Sequence, residues 1–261
     1  NWVAPLGPNV TGFEQDLENY LGDDFHVACL SSGTAAIHLG LVLLGVSHGD
    51  EVICQSFTFS ASANPILYLG AIPVFIDSEI NTWNMCPIFL EEAIVDRILK
   101  GKKPKVIIAV HLYGMPFKVE EIKAIAKKYE IPLLEDSAEA LGSTYKGKKC
   151  GTFGDIGILS FNGNKIITTS GEVLDNHVLL RREMHSFYME IFKDYEAVKV
   201  FNEPNNDFYS NHWLSSITIN SDKLGKTRED LRLAFELVNI ESRPLWKPMH
   251  LQPVFKNCPY Y

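Results

Sequence analysis

The sequence predicts an α/β protein built on a mostly parallel sheet. Short apolar runs of strand length recur along the first half, at Glu51–Cys54, Ile72–Ile76, Val106–Val110 and Ile131–Leu134. Stretches with helical spacing separate them, notably Val119, Ile122, Ile125, Ala126 and Tyr129. Strands that alternate with helices need crossover connections, and crossovers make neighbouring strands parallel. The 261 residues are 46% apolar and 21% charged, the balance of a soluble globular chain with room for a large core.

Taken in order, Phe13, Leu17, Tyr20 and Leu21 recur at helical spacing and predict an amphipathic helix over 13–21. Ser31-Ser32-Gly33-Thr34 precedes the apolar run Ala35–Val46, and serine or threonine there predicts a capped helix start. Beyond the four strands, Gly157–Phe161 and Ile166–Thr169 read as two more, with Asn162-Gly163-Asn164 as a turn between them. After Gly171 the character changes. Residues 172–193 read as a long helix, Asn202–Asn211 as a polar loop, His212–Asn220 as a strand and Thr227–Val238 as a helix. The expected division is a large domain over 1–171 and a smaller α+β domain over 172–261.

Charge and cysteines narrow the function classes. A formal charge of -8 makes the chain a poor generic binder of nucleic acid or anionic membrane. The five cysteines are scattered without a CxxC pair, which suggests reduced thiols in the cytoplasm and no metal site. Asn1–Pro8 has no basic start followed by an apolar run, so no secretory signal is read there. The apolar stretch 35–46 is too short to span a membrane.

Three features could carry chemistry. Ser32-Gly33-Thr34 reads as a capped turn or as a phosphate cradle at a helix N-terminus. Glu135-Asp136 ends a predicted strand, where carboxylates either line a ligand crevice or are simply solvated. A lone lysine such as Lys165 is usually a surface charge. The combination raises it. An enzyme using pyridoxal 5'-phosphate (PLP) needs an amine to bond the cofactor, an acid for the pyridine nitrogen, a phosphate anchor and a flat side chain over the ring. Lys165, Asp136, the Ser-Gly-Thr turn and an aromatic from Ser56-Phe57-Thr58-Phe59 supply one candidate each.

At these residues the chain resembles the DegT/DnrJ/EryC1/StrS family of PLP-dependent nucleotide-sugar aminotransferases. The matching text is SSGTAAIHL (31–39), SFTFSASAN (56–64), VHLYGMP (110–116), LEDSAEALGSTYKGKKCGTFGD (134–155), SFNGNKIITTSG (160–171) and NIESRPLWKPMHLQPVF (239–255). The resemblance implies a fold-type-I PLP enzyme, usually a homodimer with active sites at the subunit interface. It implies that Lys165 bonds the cofactor and shuttles the proton, and that Asp136 pairs with the pyridine nitrogen. Gly33, Thr34 and Ser160 would hold the phosphate. Phe59 would stack on the ring, with Phe57 as a rival that reads as core. His111, Arg243, Trp246, Lys247 and His250 are the substrate candidates by family position.

Two departures bear on chemistry. Many members carry Gln where this chain has Glu139, a position that faces the cofactor's phenolic oxygen; Glu139 could donate there only if protonated. Members that act on bacillosamine-type sugars share this feature. The chain also passes directly from Ser170-Gly171 to Glu172-Val173-Leu174-Asp175, where members carry dozens of further residues, including an Asn that reaches the partner's cofactor phosphate. The implied activity is amino transfer from L-glutamate to a UDP-4-keto-6-deoxy-N-acetylhexosamine. GDP-4-keto-6-deoxymannose, or a C3-keto sugar, is the alternative within the family. A non-catalytic PLP or nucleotide-sugar binding protein is the alternative of another class, and the intact Lys165/Asp136 pair argues against it.

Overall fold

The computed structural model describes residues 7–22, 24–167 and 174–261. The first half runs α1 (Pro8–Leu21), α2 (Gly33–Leu43), β1 (Glu51–Gln55), α3 (Ser60–Tyr68), β2 (Ile72–Ile76), α4 (Pro87–Leu99), β3 (Val106–Val110), α5 (Val119–Lys128) and β4 (Leu133–Asp136). Then come β5 (Thr144–Tyr145), β6 (Lys148–Lys149), β7 (Ile156–Ile158), α6 (Leu174–Phe192), β8 (Val198–Val200), β9 (Phe208–Tyr209), β10 (Ile217–Ile219), α7 (Ser221–Leu224) and α8 (Arg228–Leu237).

The central sheet has the order β2-β1-β3-β4-β7, with every pair parallel. Its strands are buried on both faces, which explains why they read as continuous apolar runs rather than alternating ones. Period-two alternation still sorts the side chains. Ile53, Ile107 and Leu133 pack with Leu90 and Ile94 of α4 and Ile122 and Ala126 of α5. Val52, Cys54, Val106 and Ile108 pack with Ile37 and Leu41 of α2 and Ala63 and Ile66 of α3. A third cluster joins Leu112, Tyr113 and Leu141 to Leu174, Val178 and Trp213, across the predicted domain boundary. That boundary itself falls outside the described residues.

The helix at 33–43 begins where the Ser-Gly-Thr turn predicts it, with the Ser32 hydroxyl accepting from the Ala35 N–H at 3.1 Å. Four predicted strands need correction. The run at 131–134 is a strand over Leu133–Asp136. Pro132 has no N–H to give a ladder, and Glu135 and Asp136 become strand residues whose polar ends find partners below. The run at 157–161 is a strand over Ile156–Ile158. Ile166 and Ile167 are not strand but buried coil in the third cluster; 168 and 169 lie outside the described residues. A short apolar run cannot tell these states apart. Of 212–220, Ile217–Ile219 is strand. Upstream, His212 has a left-handed φ of 45°, and the Asn211 Oδ1 accepts the Trp213 N–H at 2.8 Å, a local turn that competes with extended backbone. Among the described residues no helix is long and apolar enough to cross a membrane.

Candidate active site

The strand order positions the site. The chain leaves β1 for β2 on one side, then returns to β3 on the other, so the carboxyl ends of β1 and β3 flank a topological switch point, where open α/β sheets form a ligand crevice. Ser56–Phe59 follow β1, His111–Gly114 follow β3, Asp136 ends β4 and Ser160 lies just past β7. The free N–H groups of α2 start at Gly33, and a methyl on Gly33 would sit 3.7 Å from the Ser160 Cβ. The two predicted phosphate anchors therefore face each other, one at a helix N-terminus and one bearing a hydroxyl.

Asp136 is buried and already held. Its Oδ2 accepts the Ser62 hydroxyl at 2.6 Å and its Oδ1 the Ala138 N–H at 3.2 Å. Lys165 is mostly covered, with Nζ 3.4 Å from the Glu139 Oε1 and 4.5 Å from the centre of the Trp213 ring. The amine thus sits between a carboxylate and the face of an indole. Burial pushes the Glu139 carboxyl up to about 7, against the opposing pull of the Lys165 charge and the Tyr113 N–H that Oε2 accepts at 2.8 Å; the Asp136 charge adds to the rise. Glu139 is thus half-protonated near neutrality, and its protonated form has the donor that the sequence comparison with Gln requires.

Several site residues escape the sequence reading. Trp213 stands over Lys165, and its indole N–H donates to the Asn164 carbonyl at 2.8 Å. Tyr113 joins the predicted Trp246 in an aromatic wall, with ring centres 4.9 Å apart. Asn211, read as loop, is fully buried. Its Nδ2 donates to the carbonyls of Glu139 and Leu141 at 2.8 and 2.9 Å, tying the C-terminal part of the chain to the loop that carries Glu139. Gly114 has φ +87°, and any Cβ there would lie 1.9 Å from the Asn211 Oδ1, so the close approach requires glycine. Asn211→Leu should strand both carbonyls and the Trp213 N–H, and cost roughly 3–5 kcal/mol in urea unfolding of the cofactor-free protein. A loss below about 1 kcal/mol would show that the tether carries little.

The substrate candidates divide. Trp246 is at the crevice, its ring 5.3 Å from that of the half-exposed Phe59; Phe57 packs inward against Trp83 and Tyr113. His250 accepts or donates at 2.6 Å with the Ser56 hydroxyl and stacks on Tyr260. Lys247 is exposed, and Arg243 is exposed and paired with Glu241 at 2.7 Å. His111 is a correction: it has no exposed surface for a substrate. Its Nε2 meets Glu135 at 2.6 Å and its Nδ1 accepts the Phe117 N–H at 3.2 Å. Glu135 also takes N–H groups from Gly151, Phe153 and Gly154, which with His111 hold its carboxyl below the ordinary value despite burial. Among the described residues His111, Glu135 and Cys150 form one buried trio with metal-ligating atoms within 4.8 Å of one another. Burial, with the Glu135 charge beside it, drives the Cys150 thiol well above its ordinary value, and its Sγ lies 3.8 Å from the His111 Nδ1.

The model of the DegT/DnrJ/EryC1/StrS aminotransferase family matches residues 1–173. EpsN of Bacillus subtilis (strain 168), named provisionally as a pyridoxal phosphate-dependent aminotransferase, is 42% identical over 100% of this chain and 79% of its own length. That alignment runs over 315 positions, so EpsN carries residues with no counterpart among the 261 here. GDP-perosamine synthase of Escherichia coli O157:H7 is 32% identical over 97% of this chain and 80% of its own. The crystal structure of a DegT DnrJ EryC1 StrS aminotransferase from Brucella abortus superposes with a TM-score of 0.88 at 28% identity, over 98% of this chain and 80% of that one. With a fold-type-I sheet and a crevice holding Lys165, Asp136 and Glu139, the chain belongs to the DegT/DnrJ/EryC1/StrS aminotransferase family and is a PLP-dependent sugar aminotransferase.

Proposed function

We propose that the chain moves an amino group from L-glutamate to the keto group of a nucleotide-linked sugar, a UDP-4-keto-6-deoxy-N-acetylhexosamine, for bacterial surface polysaccharides or glycans. The observation that carries this reading is the convergence of Lys165 Nζ with Glu139 Oε1 at 3.4 Å in the crevice that Asp136 closes at the end of β4. PLP, when bound, supplies a ring that draws off electrons from the carbon being deprotonated. The chain's residues do the rest. Gly33, Thr34 and Ser160 offer donors to the phosphate. Asp136 would hold a proton on the pyridine nitrogen, and Lys165 Nζ would bond the cofactor and serve as the acid and base for the substrate proton. Phe59 would cover the ring. Tyr113, Trp213 and Trp246 exclude water and give the sugar nucleotide apolar faces to lie on. In this reading residues 1–171 and 172–261 are the two domains, and the enzyme is a cytoplasmic homodimer. Exposed Leu39, Val42 and Leu43 on α2 and Tyr68 on α3 give a second copy an apolar surface to cover.

The name of the Escherichia coli relative favours a second reading, with GDP-4-keto-6-deoxymannose as acceptor. The two separate in one assay. Purified protein is loaded with PLP, converted to its amine form with L-glutamate, and offered each keto-sugar nucleotide. Turnover of the UDP sugar at a kcat/KM at least about tenfold above the GDP sugar, some 1.4 kcal/mol of discrimination, is the expected result. The reverse preference would put the GDP sugar in its place. A folded protein that shows no visible band with PLP would overturn both.

A further inference from the structure

Asp136 is not the end of its hydrogen-bond chain. Its Oδ2 accepts from the Ser62 Oγ at 2.6 Å, and that oxygen lies 2.8 Å from the Thr58 Oγ1. Thr58 and Ser62 are each 1% exposed and Asp136 4%, so bulk water does not reach the chain. The direction of the protons follows from counting. An ionised carboxylate only accepts, and a serine hydroxyl has one proton. Ser62 gives its proton to Asp136, so Thr58 must give its own to Ser62. Each bond polarises the next, and the bond that ends on the carboxylate is the strongest. With the Ala138 N–H on Oδ1, both oxygens of Asp136 have one fixed partner, and the lone pairs left over are the ones available to a ligand.

We propose that Ser62, oriented by Thr58, is a positioning residue for the cofactor: its hydroxyl fixes the orientation of the Asp136 carboxylate that meets the pyridine nitrogen. Thr58 lies between β1 and α3 and Ser62 in the first turn of α3, so the connection at the switch point that opens the crevice also carries the group that aims Asp136. Ser62→Ala removes the donor and leaves the carboxylate free to turn. Ser62→Thr keeps the hydroxyl. Thr58→Val removes the orientation of Ser62 but nothing else on the chain.

The inference rests on Asp136 as the partner of the pyridine nitrogen, and the test separates the two. PLP is titrated into the cofactor-free protein while the visible band and the dissociation constant are followed; thermal unfolding of the same cofactor-free variants monitors the fold. Ser62→Ala is expected to weaken PLP binding about 5- to 10-fold and to shift the band, with Ser62→Thr within about twofold of the parent. Thr58→Val should weaken binding by a smaller factor, and add nothing in the Ser62→Ala background, as members of one chain do. Ser62→Ala should also add nothing in an Asp136→Asn background. Unchanged binding in Ser62→Ala, or a Ser62→Ala effect that persists beside Asp136→Asn, would overturn the role of Ser62. Asp136→Asn that binds PLP with the parent's band and affinity would overturn the assignment of Asp136 instead.

Discussion

Lys165→Ala is expected to abolish the visible band with PLP and to reduce amine transfer from L-glutamate by at least about 10³-fold, since one side chain supplies both the covalent link and the proton transfer. Borohydride reduction of the loaded parent should fix the cofactor on the peptide that contains Lys165, and on no peptide of the variant. The substitution has a second effect that geometry predicts. Lys165 Nζ is the cation 3.4 Å from Glu139, and removing it leaves a buried carboxyl with the Tyr113 N–H as its remaining partner. At pH 8 the variant should lose stability by roughly 1–3 kcal/mol, the usual cost of stranding a buried polar group. Adding Glu139→Gln should return most of that stability and none of the activity. A single variant that keeps its band, or a double variant that regains turnover, would show that another amine carries the chemistry.

The parts of the site legible in the sequence are those where chemistry restricts residue type at a sharp backbone feature. Gly33 opens a helix and Asp136 closes a strand. Lys165 follows a turn, and each of the three carries the text of its motif. The doubly wound sheet was legible because fully buried strands leave unbroken apolar runs between helical patterns. Trp213, Tyr113 and Asn211 were not legible as site residues. Their positions depend on segments distant in sequence folding back to the same crevice, and locally Trp213 reads as strand and Asn211 as loop. Asn211 shows the limit: in a polar stretch an asparagine looks solvated, yet this one is buried because it pairs with carbonyls some seventy residues away. His111 fails in the opposite direction. It directly follows β3 in sequence, but β3 and β4 pair Val110 with Asp136, and just past that register the imidazole meets Glu135 and is fully buried. Ile166 and Ile167 looked like strand because burial alone makes a short apolar run.

Glu139 should make the protein's stability depend on pH with an unusual sign. Its carboxyl rises from 4.5 to about 7 on folding, chiefly through burial. Between those values the folded state binds more protons than the unfolded one. Stability therefore falls as pH climbs through this window and levels off above 7. At about 1.4 kcal/mol per unit the loss is about 3 kcal/mol, in a group buried deeply enough to escape solvent screening. Glu139→Gln keeps the shape and removes the titration. The variant should match the parent near pH 5 and exceed it by about 2–3 kcal/mol at pH 8, a rise in Tm of roughly 4–12 °C for a chain of this size. The same protonation bears on chemistry. Below pH 7 Glu139 carries an O–H and can donate to an oxygen in the crevice; above it, a carboxylate can only accept. The half-reaction with L-glutamate should weaken in the parent as pH rises past 7, and the Gln variant, whose amide donates at every pH, should hold its rate. Parent and variant with parallel stability profiles from pH 5 to 8 would mean that Glu139 is ionised throughout, its charge held by Lys165 strongly enough to outweigh its burial.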